Sequence, residues 1–388
     1  MRRIGVITTG RADYGIYLPL LKRIQADPEL SLLLFVSGTH LNPAFDETVS
    51  RIENDGFPTT RIPIPTHNIT ARDTACGIGE TLTAFAKAYD SDRPDILIAL
   101  GDRHEMLGAV TASVPYNIPV AHIHGGEVTE GAIDEVFRHA ITKMSHLHFA
   151  ATEAYGKRIV RMGEEPWRVN VCGAPSLDNL SDIELFDLEA LSERLNFSLD
   201  PPPLLVTYHP VTTELETTHN QLDALFAGLN AVGTPIIFTA PNADSRSGEI
   251  LDRIKAFVGN RLDRAVYTDL GTQVYFSLMK HAAVMVGNSS SGIIEAASFA
   301  LPVVNIGSRQ RGRDHGPNVV HVDTRADDIE SGILEATSEA FERQMSGTTN
   351  PYGDGHASDR ILSVLKKTSL TRELVVKRFY DGDERDAA

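Results

Sequence analysis

The sequence predicts an α/β protein built from two Rossmann-like domains facing across a cleft. Short, continuous apolar runs rich in β-branched residues recur along the chain, each followed by a stretch with helical spacing, the pattern of buried parallel strands and their crossover helices. The alternation is interrupted at Asp200-Pro201-Pro202-Pro203 and then starts again. The length, 388 residues, also exceeds what one ordinary hydrophobic core organises.

In the first half, Arg3 to Thr8, Leu32 to Val36, Ile96 to Leu100, Val120 to Ile123, Leu147 to Ala150 and Val169 to Val171 read as strands. Between them Tyr14 to Ala26, Ala44 to Asn54, Ala71 to Tyr89 and Asp134 to Met144 read as helices. Asp13 precedes the first helix, and Thr152 with Glu153 can cap another that ends near Gly163. From Ser181 the chain becomes charged. Three consecutive prolines can neither continue a helix nor occupy a central strand, so this stretch reads as a hinge or domain entrance.

The second half repeats the pattern. Leu204 to Tyr208, Pro235 to Thr239, Ala265 to Thr268, Ala283 to Val286 and Val303 to Ile306 read as strands. Gln221 to Leu229, Gly248 to Val258, Thr272 to Lys280 and Gly292 to Phe299 read as helices. The expected domains are residues 1–180 and 200–365, each Rossmann-like, and a helical tail at 366–388 with a frayed acidic end. Two such domains give a glycosyltransferase-B-like arrangement.

Composition removes several functions. A net charge of −16 argues against a nucleic-acid surface while leaving room for a small anionic substrate held by local Arg, His and N–H groups. No apolar run approaches the roughly 20 residues that span a bilayer, and the N-terminus enters a strand at once, so no signal peptide is expected. Cys76 and Cys172 stand far apart and outside metal-like spacing, which suits a reducing cytoplasm.

Chemistry concentrates between Ala99 and His139. Two strand ends there deliver Asp102, Arg103, His104, Glu105, His122, His124, Glu127, Asp134, Glu135, Arg138 and His139 beside Gly-Asp and Gly-Gly breaks. In parallel α/β sheets ligands bind outside the carboxyl ends of strands. If Asp102, Glu127, Asp134 and Glu135 share one pocket, mutual repulsion leaves a protonated acid beside an ionised base, the pair that removal of a carbon-bound proton requires. Asp134 and Glu135 equally suit the first turn of a helix. On a strand, His122 and His124 share one face, a zinc-like arrangement with Asp102 as a third ligand. No H-E-x-x-H or comparable ligand set accompanies them, and no metal is expected.

Elsewhere the candidates are groups for an anion. Gly10-Arg11-Ala12-Asp13 follows the first strand without G-x-G-x-x-G spacing, so a dinucleotide is not expected, and Arg11 either meets a phosphate or pairs with Asp13. Gly287-Asn288-Ser289-Ser290-Ser291-Gly292 follows a strand and opens a helix holding Glu295. Ser289, Ser290 and Ser291 there expose backbone N–H groups to a phosphate, and Glu295 can reach ribose hydroxyls. His209, in Tyr208-His209-Pro210, can donate to a pyrophosphate or be a packed loop histidine. Asn242, in Pro241-Asn242-Ala243-Asp244, and the Arg309-Gln310-Arg311-Gly312-Arg313 run supply further polar strand ends.

G-D-R-H-E, H-I-H-G-G-E, D-E-V-F-R-H-A-I-T-K-M-S-H-L-H, Y-H-P-V-T-T-E, P-N-A-D, G-N-S-S-S-G-I-I-E and S-R-Q-R-G-R, in that order, resemble the UDP-N-acetylglucosamine 2-epimerase family, in its hydrolysing branch of bacterial sialic acid and related nonulosonic acid pathways such as legionaminic acid. The resemblance runs from Arg3 to about Gly355. It implies cofactor- and metal-independent elimination of UDP across C1 and C2 of the sugar to a glycal, then hydration to a free 2-epimer such as N-acetylmannosamine. Asp102 resembles the family's essential carboxylate, and Asp134 and Glu135 another acid–base position. Many relatives carry H-I-E-G-G-E where this chain has His124, which leaves His124 and Glu127 both candidates for the third. Arg11, Arg138, His209, Asn242, Gly287, Ser289, Ser290, Ser291, Glu295 and Arg313 are the expected substrate-binding set. The expected partners are the UDP-sugar and further copies of the chain, as a dimer or tetramer. A retaining glycosyltransferase or a non-catalytic nucleotide-sugar sensor on the same fold are the alternatives.

Overall fold

The computed structural model describes residues 1–43, 48–65, 70–130, 132–211, 214–241, 247–347 and 349–382. It divides into two compact units. Unit 1 comprises Met1–Glu127, Asp134–Asn179 and the chain from Gly353 onward; unit 2 comprises Val128–Ile133 and Leu180–Tyr352.

Unit 1 holds a seven-stranded parallel sheet: β1 Arg2–Thr8, β2 Leu30–Val36, β3 Thr59–Arg61, β4 Ile96–Leu100, β5 Val120–Ile123, β6 Leu147–Ala150 and β7 Val169–Val171, in the order β3-β2-β1-β4-β5-β6-β7. Every residue of β4, β5 and β6 is buried, as strands covered on both faces must be, so they read as unbroken apolar runs apart from His122 and His148. These two histidines are partners in register across β5 and β6. Thr59–Arg61 carries no apolar run and forms the sheet edge, which is why it does not read as a strand in sequence.

The first helix, Arg11–Ala26, begins before Asp13 rather than after it. Asp13 sits inside the first turn and reaches back, its Oδ2 accepting from Thr9 N at 3.0 Å and Thr9 Oγ1 at 2.7 Å. The helix Ala71–Ser91 starts at a reciprocal box in which Thr70 Oγ1 accepts from Asp73 N and Asp73 accepts from Thr70 N. Thr152 caps Glu153–Arg161 as the sequence suggests, accepting from Tyr155 N.

Unit 2 holds a six-stranded parallel sheet: β8 Leu204–Thr207, β9 Ile236–Thr239, β10 Arg264–Tyr267, β11 Val284–Gly287, β12 Val303–Ile306 and β13 Val319–Val322, in the order β10-β9-β8-β11-β12-β13. The strand β13 and the helix Ala326–Ala336 behind it were not expected. β13 is again a polar-tipped edge strand, V-V-H-V. In each unit the direction of strand succession reverses once, between β1 and β4 and between β8 and β11. Ligands of doubly wound sheets bind at the carboxyl ends of such a pair.

The C-terminal part differs from the sequence expectation. Residues 353–365, expected in the second domain, and the described part of the 366–388 tail, expected apart, both belong to unit 1. Ile361, Leu365 and Leu374 are buried in its core. Asp178 anchors the start of helix Ala357–Lys367, its carboxylate accepting from Ala357 N at 2.9 Å and Ser358 N at 2.6 Å. Arg168, 1% exposed, donates to the carbonyls of Leu374, Glu373 and Val376 at 2.8, 3.0 and 3.3 Å. The passage between units also falls earlier than the three prolines, at Asn179–Leu180, since the Pro203 carbonyl already accepts from Ala283 N at 2.9 Å beside the second sheet.

Candidate active site

At the carboxyl edge of β4, Gly101 adopts φ +68 and turns the chain so that Asp102 leaves the strand. Arg138, its side chain 3% exposed, donates from Nη2 to Asp102 Oδ2. Arg138 stands on the helix Asp134–Met144, where Glu135 lies one turn earlier with Oε2 3.6 Å from Arg138 Nη1. Glu135 Oε1 is in turn 3.0 Å from His139 Nε2. The spacings of three and four residues put these groups on one helix face. The result is a line of alternating charge: Asp102, Arg138, Glu135, His139.

His124 does not continue β5, which ends at Ile123. It has φ +62, a left-handed conformation that costs a non-glycine residue free energy and recurs where function fixes a side chain. Its Nδ1 is 2.5 Å from Glu127 Oε1, and both side chains are buried. His122 and His124 therefore have separate roles rather than a shared strand face. His122 is wholly buried, its Nε2 2.8 Å from the Gly101 carbonyl and its Nδ1 3.1 Å from Thr142 Oγ1. Burial holds its pKa down at about 3, so the ring is neutral and Nε2–H donates to Gly101. That one ring ties the turn carrying Asp102 to the helix carrying Arg138, Glu135 and Asp134.

Three of the four carboxylates meet a guanidinium or an imidazole. Arg138 stands between Asp102 and Glu135, His124 meets Glu127, and Asp134 opens its helix. A further buried carboxylate, Glu105, is bracketed by Arg103 Nε and His104 Nδ1, each 3.1 Å away. Burial raises its pKa, but these neighbours and the Arg103 hydrogen bonds outweigh it and leave it lowered. Arg11 lies exposed at the first residue of its helix, while Asp13, its alternative partner, is buried on Thr9 with its pKa raised by burial. Among the described residues, no group of three or more His, Cys, Asp or Glu side chains is arranged to hold a metal ion.

In unit 2 the strand pair β8 and β11 is held at its carboxyl end by Asn288. Its Oδ1 accepts from His209 N at 2.7 Å, its Nδ2 donates to His209 O at 2.9 Å, and its own N–H donates to Thr207 O at 3.1 Å. Gly287 makes this approach possible: it has φ +136, and a Cβ there would fall 1.9 Å from the Thr207 carbonyl oxygen. Its part is thus to let two strands meet. Ser289 caps the short helix Ser290–Ile294 by accepting from Ser291 N at 3.3 Å, and Ser289, Ser290 and Ser291 remain partly exposed. His209 and Glu295 are buried, 4% and 6% exposed. Asn242 lies outside the described residues.

One group here is unmarked in the sequence, and two more belong to a run that the sequence marks as a whole. Tyr275, on the helix Gly271–His281, lies close to Ser291, Thr207 and Glu295, and burial pushes its phenol up to about 12. Nothing in the local sequence marks it. Arg309 Nη1 and Gln310 Nε2 both donate to the Asn288 carbonyl, at 3.1 and 2.8 Å. They lie in the S-R-Q-R-G-R motif, of which the expected substrate-binding set holds only Arg313. Arg313 turns elsewhere within unit 2, its Nε donating to Val128 O at 3.1 Å and its Nη2 to Thr129 Oγ1 at 3.4 Å.

Known proteins resemble the chain over nearly its whole length. A family model described as UDP-N-acetylglucosamine 2-epimerase matches residues 22–366. The UDP-N,N'-diacetylbacillosamine 2-epimerase (hydrolyzing) of Legionella pneumophila is 37% identical over 97% of this chain and 99% of its own length. The GDP/UDP-N,N'-diacetylbacillosamine 2-epimerase (hydrolyzing) of Campylobacter jejuni is 34% identical over 98% and 99%. Among solved structures, the Neisseria meningitidis UDP-GlcNAc 2-epimerase bound to UDP-GlcNAc superposes with a TM-score of 0.80 at 17% identity, over 95% of this chain and all of that one. The two Rossmann-like units are those of the glycosyltransferase-B-like class. The chain belongs to the UDP-N-acetylglucosamine 2-epimerase family.

Proposed function

We propose that the chain is a hydrolysing 2-epimerase of a UDP-linked 2-acetamido sugar. A base removes the proton on C2 as the C1–O bond to UDP breaks, which forms a 2-acetamidoglycal and UDP. Water then gives its hydroxyl to C1 while a proton is delivered to the opposite face of C2, and the free 2-epimer leaves. The observation that carries this reading is the line Asp102–Arg138–Glu135–His139 at the carboxyl edge of the sheet that also presents the His124–Glu127 pair. Carboxylate and imidazole pairs in mutual contact can hand a proton on and take one back, the requirement for acid–base work at C2. Asp102, His124, Glu127, Asp134 and Glu135 are the proton-moving groups of this reading.

Loss of UDP needs donors aimed at the diphosphate rather than a second base. Arg11, Arg138, His209, Asn242, Gly287, Ser289, Ser290, Ser291 and Glu295 are the substrate-binding set, joined by Arg309, which donates to the Asn288 carbonyl at the β8–β11 carboxyl ends. The identities of 37% and 34% to enzymes named for N,N'-diacetylbacillosamine support a UDP-2,4-diacetamido-2,4,6-trideoxy sugar as substrate. The family description supports UDP-N-acetylglucosamine, with N-acetylmannosamine as product, as the second choice. In this reading the enzyme is a cytoplasmic homo-oligomer, a dimer or tetramer, serving sialic or legionaminic acid synthesis without a cofactor. No described helix is long and apolar enough to cross a membrane.

Incubation with each UDP-sugar in deuterated water, followed by NMR, tests the reading. Stoichiometric UDP and a free 2-epimer deuterated at C2 are expected. UDP release with protium retained at C2 identifies simple hydrolysis or glycosyl transfer and removes the epimerase reading.

A further inference from the structure

The loop after β12 is held at both its ends, and both holdings lie in unit 2. At its start Arg309 and Gln310 donate to the Asn288 carbonyl, 3.1 and 2.8 Å away, beside the serine turn. At its end Arg313 donates through Nε to Val128 O at 3.1 Å and through Nη2 to Thr129 Oγ1 at 3.4 Å. Gly312 lies between them at φ +80, and a Cβ added there would stand 2.8 Å from Val128 Cγ1 and 3.2 Å from Glu130 Oε1. This end of the loop is therefore fitted closely to the segment it grips.

That segment, Val128–Ile133, is the piece of unit 2 that interrupts unit 1. Glu127 immediately precedes it and Asp134 immediately follows. Two of the proton-moving candidates thus leave from its two ends, with Glu135 and Arg138 on the helix that Asp134 opens. Six residues reach at most about 20 Å when fully extended, so so short a segment passes any displacement to the groups at its ends. A misplacement of about 1 Å is enough to cost roughly a hundredfold in rate. A guanidinium fork spent on a backbone carbonyl and a hydroxyl is suited to fixing such a segment.

We propose that Arg313 is a positioning residue: it holds Val128–Ile133 so that Glu127 and Asp134 are set for proton transfer at C2, and it does not hold the UDP. The inference rests on the 2-epimerase reading above. The test measures UDP affinity by calorimetry, turnover by UDP release and folding by thermal melting, for the parent, Arg313→Gln, Arg313→Lys and Gly312→Ala. Parent protein that releases no UDP from either UDP-sugar would remove the reading and this inference with it. With an active parent, Arg313→Gln is expected to keep UDP affinity within about twofold while kcat falls by about tenfold or more, with little change in KM. Arg313→Lys, which keeps the charge but loses the fork, should fall between parent and Arg313→Gln. Gly312→Ala displaces the segment while leaving Arg313 itself unchanged and should show the same split, so it carries the test if Arg313→Gln fails to fold. A tenfold loss of UDP affinity in Arg313→Gln would assign Arg313 to the nucleotide, and unchanged kcat in Arg313→Gln or Gly312→Ala would show that the segment needs no clamp. Either result overturns the proposal.

Discussion

Asp102 is the residue on which the proposed chemistry depends most, and its setting dictates what its replacement does. Its carboxylate is the counter-charge of Arg138, whose side chain is 3% exposed. Asp102→Asn keeps the shape and a hydrogen-bond acceptor but removes the base, so UDP release should fall by about 10²–10⁴-fold. UDP affinity should stay within about twofold, because the nucleotide groups proposed here stand largely on the other sheet. Calorimetry with UDP beside a turnover assay checks both, and loss of UDP affinity in step with turnover would end that division of labour. Arg138 keeps Glu135 3.6 Å away but loses a charged acceptor, at a cost of roughly 1–3 kcal/mol, so the melting temperature of this variant should drop even though its fold is retained. His122 acts differently. It is neutral, wholly buried and bonded to Gly101 and Thr142, and it serves the site by holding two elements at a fixed separation.

At the scale of elements, the close meeting of β8 and β11 gives a sharper expectation. Gly287→Ala would set a Cβ 1.9 Å from the Thr207 carbonyl and force alanine into φ +136. The cost should be roughly 3 kcal/mol or more. Because Asn288 bridges the same strands to His209, UDP affinity should fall together with stability; thermal melts and calorimetry read the two losses, and an intact UDP affinity would separate the serine turn from the strand pair. What the sequence made legible follows physical lines. The central strands read clearly because burial on both faces leaves them unbroken apolar runs, while the edge strands Thr59–Arg61 and Val319–Val322 do not, being short and partly polar. The serine turn and the Gly101–Asp102 break were visible as small and charged residues after strands. Tyr275 was not, because its contacts with Ser291 and Thr207 are made across a fold that no local pattern encodes. The helical spacing of the last residues was visible, but not their place against Arg168, which is 206 residues from Leu374.

For the whole molecule, acid should act on the two units unequally. His40, His122 and His146, all in unit 1, have pKa values lowered by burial from 6.5 to about 4, 3 and 4. The stability gained from keeping them neutral is complete above pH 6.5 and is lost as pH falls towards 4, because the unfolded chain binds protons that the folded chain refuses. Three such sites amount to roughly 4 kcal/mol per pH unit near pH 5. In unit 2, His321 is shifted in the same direction by burial. The single tryptophan, Trp167, belongs to unit 1 and lies 4.2 Å from the Arg168 guanidinium, so its fluorescence reports that unit alone. On acidification the Trp167 transition should precede part of the far-UV circular dichroism change; coincident transitions would show that the units unfold together.

The burial of Arg168 against Glu373, Leu374 and Val376 also bears on how the chain is made. At synthesis rates of about 5–20 residues per second, roughly 10–40 s pass between the emergence of Arg168 and that of the carbonyls it serves. For that interval the guanidinium has only Glu165 and the His146 carbonyl and lacks the three later acceptors, while every strand of the second sheet leaves the ribosome and can pair. Unit 2 is thus able to close before unit 1, although β1–β7 are made before β8–β13.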